Sequence, residues 1–164
     1  MLRTLRAPLA LLAVAIFTAL ALPVAARADD RAFAQTAIEH VQALSRYERA
    51  VSRAMTSLPR RGPKAIPATR RAVRTGIREV GRTMTAIRAL ATEGEEATTA
   101  KAKLLELLAV EQRAYRTLDR GLAALKRGKA KTARTLVDRA RRSLESITRE
   151  AMDLGMTLGQ IAAG

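Results

Sequence analysis

The chain has 164 residues and a net charge of +15, from 30 Lys and Arg against 15 Asp and Glu, with one His and no Cys. Without Cys it can hold no disulfide, thiolate metal site, covalent c-type haem or lipidated cysteine. A single His excludes catalytic or zinc sites built on two or more histidines, so packing alone must hold the fold and the cation excess points to anionic partners.

The first stretch reads as a secretory signal peptide. Arg3 and Arg6 form a positive start, Leu9 to Leu22 an apolar run between Pro8 and Pro23, and Ala26-Arg27-Ala28 a small-x-small pattern before Asp29. The apolar run falls short of the ~20 residues that a membrane span needs, so cleavage after residue 28 is expected rather than an anchor. No Arg-Arg pair precedes the run, which favours the general export route over the twin-arginine one. Residues 29–164 then remain as one domain, periplasmic or extracellular, with no transmembrane span, and the removed part takes three positive charges with it.

The rest is rich in Ala, Leu, Arg and Glu, all good helix formers. Breakers at Pro59, Gly62, Pro63 and Pro67, at Gly94 and at Gly128 divide it into four segments, with helices predicted over about 30–58, 67–92, 95–127 and 129–162. The first carries apolar residues at Ala37, Val41, Leu44, Val51, Met55 and Leu58. The second carries Val73, Ile77, Val80, Met84, Ile87 and Ala91, and the third Ala97, Leu104, Leu108, Tyr115, Leu118, Leu122 and Leu125. The fourth repeats most regularly, through Ala133, Val137, Ala140, Leu144, Ile147, Ala151, Leu154, Leu158 and Ile161. Alternating steps of three and four keep one stripe on one helix face, which a polar helix cannot bury alone. Pro67 suits the first turn of the second helix, the acids Glu93, Glu95 and Glu96 suit the start of the third, and Gly128 suits a left-handed stop after it. Short connections make neighbouring helices antiparallel. The expected fold is all-α, an up-down-up-down antiparallel four-helix bundle after a cleaved signal peptide. The weaker alternative is three helices with the first detached.

That topology would gather charge. The first connection carries Arg60, Arg61 and Lys64, and the third carries Lys126, Arg127, Lys129 and Lys131, with no acid in either stretch. Both would lie at one end, with Asp29, Asp30, Glu93, Glu95 and Glu96 at the other. A second basic feature is the stripe Arg70, Arg74, Arg78 and Arg82, four residues apart, with Arg71 beside it. Like charges at that spacing cost a few tenths of a kcal/mol each. The stripe therefore either meets an anion or is a tolerated solvated face. Arg outnumbers Lys 24 to 6, which with the Ala richness also fits a compositional bias.

Two acids stand on seam positions, Glu48 between Leu44 and Val51 and Glu111 between Leu108 and Tyr115, with Tyr47 and Tyr115 beside them. Buried carboxylates need partners. The expectation is a polar core layer of Glu48, Glu111, Tyr47 and Tyr115, with Glu paired to Arg or to a Tyr hydroxyl. The other option is that Tyr47, Leu107 and Ala114 cover the core there instead. A di-iron site would need Glu-x-x-His on two helices, but Arg82 follows Glu79 and Thr148 follows Glu145 at that distance. His40 could ligate haem only with a Met opposite it, and nothing in the pattern places one there. No metal, no cofactor and no catalytic set is expected. Gly155 and Gly159 form a small-x3-small pair that suits close packing or a fraying end.

From Leu58-Pro59 to Met156 the order of features is a Leu-Pro break, an Arg-rich helix ending in Arg88-Ala89-Leu90, an acidic turn and a Leu-rich helix. Leu122-Ala123-Ala124-Leu125-Lys126-Arg127-Gly128 and an Ala-rich helix follow. This order resembles a broad group of exported all-helical proteins of high-GC bacteria, a resemblance that implies no activity. Size and export also resemble the small periplasmic helical chaperones of the Spy type, whose Leu-Thr-x-x-Gln signature this chain lacks.

The functional expectation is an exported, non-enzymatic protein whose basic end binds an anionic envelope polymer, a lipid headgroup or an acidic protein. The alternatives are a chaperone-like protein-binding module and, behind it, a metal- or haem-binding bundle. Specific nucleic-acid binding is not expected, because Phe33, Tyr47 and Tyr115 are the only aromatics after residue 28 and base stacking needs more.

Overall fold

A computed structural model describes residues 28–164, and the expected signal segment, Ala28 apart, lies outside the described residues. Four long helices follow one another: α1 (Ala28–Arg61), α2 (Ile66–Ala89), α3 (Glu95–Lys126) and α4 (Ala130–Ala163), with one 3-10 turn, Pro63–Ala65, between α1 and α2. No strand occurs among the described residues. No described helix is long and apolar enough to cross a membrane.

The apolar seams close on one another. α3 packs on α2 and α4, and α1 packs on α2 and α4, while α1 and α3 share little. Phe33, Val51, Val73, Val80, Ile87, Leu108 and Leu122 are buried in the shared core, with Ala140, Ile147, Leu158 and Ile161 supplied by α4. The core is broader than the three-four spacing predicts. Phe33, Ala34, Ile66, Ala100, Leu107 and Ala114 are also buried, because a helix with two large neighbours buries two adjoining stripes. Ala91, predicted on the second seam, is exposed, since α2 stops at Ala89.

Cross-helix contacts fall in reverse order along each neighbouring pair. Between α2 and α3, Arg70 meets Asp119, Gln112 donates to the Ile77 carbonyl, and the Lys101 ammonium donates to the Leu90 carbonyl. Between α3 and α4, Gly121 lies against Ala133, Leu136 and Val137, and Lys103 pairs with Glu150. Between α1 and α2, Val51 lies against Gly76, and Asp30 reaches the turn beyond α2.

The corners have specific causes. α1 continues through Pro59, where the breaker pattern predicts a boundary, and ends at Arg61. A proline so close to the end removes one helical hydrogen bond only, and Gly62 makes the stop, its N–H donating to the Leu58 carbonyl and its φ at 67°. Gly128, at φ 74°, ends α3, with its N–H donating to Leu125 and that of Lys129 to Ala124. Pro67 sits in the first turn of α2.

Asp30 is buried at 5% exposure and ties two elements together. Its Oδ1 accepts from the Glu93 N–H at 2.9 Å and its Oδ2 from the Gly94 N–H at 3.0 Å. Gly94 is the cap residue of α3 and has no side chain to offer, and the Asp30 carboxylate of α1 fixes the two backbone N–H groups just before the first turn. Asp30→Ala is expected to cost about 1–3 kcal/mol, because it orphans two part-buried backbone N–H groups. A urea midpoint lowered accordingly, with faster amide exchange at residues 93 and 94, would show it; an unchanged midpoint would refute it.

Candidate functional site

Two places concentrate chemistry: a set of unpaired cations at the corners and a carboxylate pair in the core. Arg60 and Arg61 occupy the exposed last turn of α1, Lys64 the exposed 3-10 turn, and Lys126 the last turn of α3. Arg127, Lys129 and Lys131 follow, all exposed. No ion pair engages any of the seven among the described residues. Cations in a last turn suit the carbonyl end of the macrodipole. Lys129 and Lys131 do the reverse: they sit at the start of α4, whose first turn holds no acid and whose cap residue makes no side-chain hydrogen bond. α2 likewise starts without an acid or a side-chain cap. By contrast, α1 opens with Asp29 and Asp30 and α3 with Glu95 and Glu96.

The arginine stripe of α2 is less available. Arg70 donates from Nε and Nη2 to the two oxygens of Asp119, at 2.8 and 3.1 Å, and is 21% exposed along its side chain. Arg74 Nε reaches the same carboxylate at 3.3 Å. Arg82 pairs with Glu79 at 2.9 Å, and Arg78 donates to the Thr75 hydroxyl. The Arg70 hydrogen bond holds the Asp119 carboxyl below its usual range, so this fork is fully formed at neutral pH and is lost as acid protonates Asp119. Arg70 thus braces α2 against α3 instead of facing solvent, and the remaining stripe is Arg71, Arg74, Arg78 and Arg82, all exposed. Spacing along one helix could not reveal Asp119 as a partner.

The two seam acids are buried, Glu48 at 5% and Glu111 at 1% exposure, and so is Tyr115 at 2%. Leu107 and Ala114 are buried as well, so the acids and their apolar neighbours share the core instead of excluding one another. Glu48 Oε2 and both oxygens of Glu111 make no well-formed hydrogen bond. The expected Arg pairing is absent, and the expected Tyr pairing is a loose approach of the Tyr115 hydroxyl to Glu111. Arg49, the cation nearest Glu48 in sequence, folds back instead, donating to the Ser45 hydroxyl and carbonyl at 3.2 Å each. Burial raises the Glu48 pKa to about 7, against a smaller opposing pull from Arg49. Burial, and then the charge of Glu48, raises Glu111 to about 8, against a smaller lowering by the Tyr115 hydroxyl. Burial and the same two carboxylates push the Tyr115 hydroxyl well above its usual range. Tyr47 does not join this group. It is half-buried, its hydroxyl accepts from Arg46 Nη2 at 2.8 Å, and the same guanidinium lies 4.7 Å from its ring centre. One residue step turns it about 100° from Glu48.

No group of three or more His, Asp or Glu suited to a metal ion occurs among the described residues. His40 is half-buried on α1. Gly159 has open space where a side chain would stand, so it makes no close helix contact there. No family model matches the chain, and no curated protein and no solved structure matches it either.

Proposed function

We propose that this is an exported, non-enzymatic helical protein that binds an anionic envelope component, a polymer or lipid headgroup, through a basic end. The topology behind it is up-down-up-down, with the corners at 62–65 and 127–129 side by side. The reversed contact order of each neighbouring helix pair supports that arrangement. So does the Arg70–Asp119 ion pair, whose members stand about one and a half helical turns from one corner and about two from the other. The ties from Asp30 to Gly94 and from Arg31 to the Gly164 carbonyl gather the start of α1, the start of α3 and the end of α4, which leaves the two cationic corners for the opposite end.

The observation that carries the reading is the asymmetry of the helix starts. α1 and α3 begin with acids, whereas α2 and α4 begin with none, and α4 places Lys129 and Lys131 against its own dipole. At the start of α4, a first turn with no side-chain cap and uncompensated ammonium groups are together relieved by an anion. Screening over about 8 Å at physiological salt still lets neighbouring corner charges add.

Cosedimentation with phosphatidylglycerol vesicles, against neutral phosphatidylcholine, tests it. Changing Lys126, Arg127, Lys129 and Lys131 to Gln is expected to weaken binding on the order of 100-fold or more, at about 1 kcal/mol per cation near the surface. Binding should also fall steeply with added salt. Equal affinity for both vesicles, or indifference to salt, would refute the proposal.

A further inference from the structure

The carboxylate pair has no place in the basic-end reading and stands apart from it. Glu48 on α1 and Glu111 on α3 are buried in the same interior: Val51, one turn beyond Glu48, and Tyr115, one turn beyond Glu111, meet at Gly76, and the charge of Glu48 reaches Glu111, although their helices barely touch. Three of their four oxygens are buried without a well-formed hydrogen bond, and the one donor near them is the neutral Tyr115 hydroxyl, which approaches Glu111 loosely. A carboxylate in that position lacks water and any firm partner, which a low-dielectric interior penalises heavily.

The surroundings supply no counter-charge beyond the small pull of Arg49 on Glu48. On α1, Arg49 is exposed and bonded to Ser45. On α3, the Gln112 amide is spent on the Ile77 carbonyl of α2, and Tyr115 is an un-ionised phenol packed against Gly76. On α2, the buried face at this level is Val73, Gly76 and Val80. On α4, the contacts of Gly121 and Lys103 place residues near 142 opposite Glu111. Ala140 and Ile147 are buried there, whereas Arg139 and Arg142 are exposed and Arg141 pairs with Glu145. What the pair lacks is one positive charge of small size in the right place. A hard divalent cation takes about six or more oxygens, and two carboxylates beside one phenol do not offer them.

We infer that Glu48 and Glu111 form a proton-binding site inside the helices, where one proton held between the two carboxyl groups is the ligand that keeps this layer closed. The carboxylic acid of one residue donates its O–H to the carboxylate of the other, which satisfies two of the orphaned oxygens at once. When the proton leaves, it passes to water, and two anions remain face to face across the core. The layer then opens to admit water, and α1 and α3 loosen at this level. The site is a device that couples the tightness of the interior to the acidity outside.

The full chain, labelled with 13C-glutamate, tests this by carboxyl-carbon NMR. Two glutamates should titrate as a linked pair at about 7 to 8, well above the ordinary carboxylate range near 4.3. Amide exchange around residues 45–51 and 108–115, corrected for its intrinsic pH dependence, should accelerate about tenfold or more between pH about 6 and about 9. Glu111→Gln, which donates a permanent N–H to Glu48, should abolish that acceleration, with Glu48→Gln as the companion variant if the first fails to fold. If all glutamates titrate in the ordinary range, the inference fails, and that reading needs no variant. It also fails if the corrected exchange is flat with pH, or if calcium or magnesium protects the native chain and not Glu111→Gln, since the ligand is then a metal ion. None of these outcomes bears on vesicle binding, so the two proposals stand or fall separately.

Discussion

Replacing Glu111 with leucine is expected to make the protein more stable at pH about 8, by about 1–3 kcal/mol, the cost ordinarily attached to a buried polar group without partners. The sign follows from the direction of the shifts. Glu48 and Glu111 have folded pKa values of about 7 and about 8, both above the unfolded value of 4.5. The folded state therefore binds protons more tightly than the unfolded chain. Its contribution to stability is fully present below 4.5 and is lost as pH rises through about 7 and about 8. In that window each group can remove up to about 1.4 kcal/mol of stability per pH unit. Leucine at position 111 deletes one of the two slopes and fills the site with apolar atoms of similar size. Urea midpoints at several pH values read both effects: a higher midpoint at pH about 8 and a shallower fall between pH about 5 and about 8. A variant less stable than the native chain at the alkaline end would show that the carboxyl is satisfied by something other than a proton.

Gly121→Leu should have the opposite and comparably large effect. A side chain started at Gly121 would place its first carbon 3.2 Å from Leu136 Cβ and from Val137 Cγ2, and 3.4 Å from the Ala133 carbonyl oxygen. All three belong to α4, and one is backbone, so the obstruction cannot be cleared by turning a flexible side chain. α3 and α4 must move apart along their contact, at a cost of about 1–3 kcal/mol or more. Gly159→Ala provides the contrast. Open space surrounds that position, within a helix, and exchange of glycine for alanine there should stabilise by about 0.5–1 kcal/mol. Thermal unfolding of the two variants side by side checks both signs. If they change stability in the same direction, the close approach of α3 and α4 at Gly121 is not what limits side-chain size.

Much of the architecture could be read from the chain, because its physics is local. Four apolar stripes with steps of three and four, separated by glycine and proline, leave little choice but four helices. Gly128 acts as the stop that its position suggests. Pro59 misled because a proline inside the last turn of a helix removes a hydrogen bond that the end of the helix hardly needs; Gly62, with its positive φ, sets the boundary. Ala91 was misplaced for a related reason: α2 ends early so that the chain can reach the Asp30 carboxylate.

The two chemical regions were legible to different degrees. Glu48 and Glu111 announced themselves by interrupting apolar seams, and burial follows from that. Their lack of firm partners does not, since it depends on Arg49 turning toward Ser45 and Gln112 toward Ile77. Tyr47 looked like a companion because it is adjacent in sequence, yet adjacency on a helix means divergence. In the arginine stripe, spacing told which residues share a face but not that Asp119 on another helix claims two of them. Long-range pairing of this kind has no periodic signature.

The chain has two tyrosines and no tryptophan. Its ultraviolet emission is therefore divided between Tyr47, near the surface under Arg46, and Tyr115, enclosed beside Glu111. An excited phenol gives up its proton readily to a neighbouring carboxylate and darkens, whereas a neighbouring carboxylic acid leaves it bright. The interior thus carries its own optical indicator: fluorescence from Tyr115 should dim as the carboxylates ionise, while that from Tyr47 stays constant, without any label having been attached.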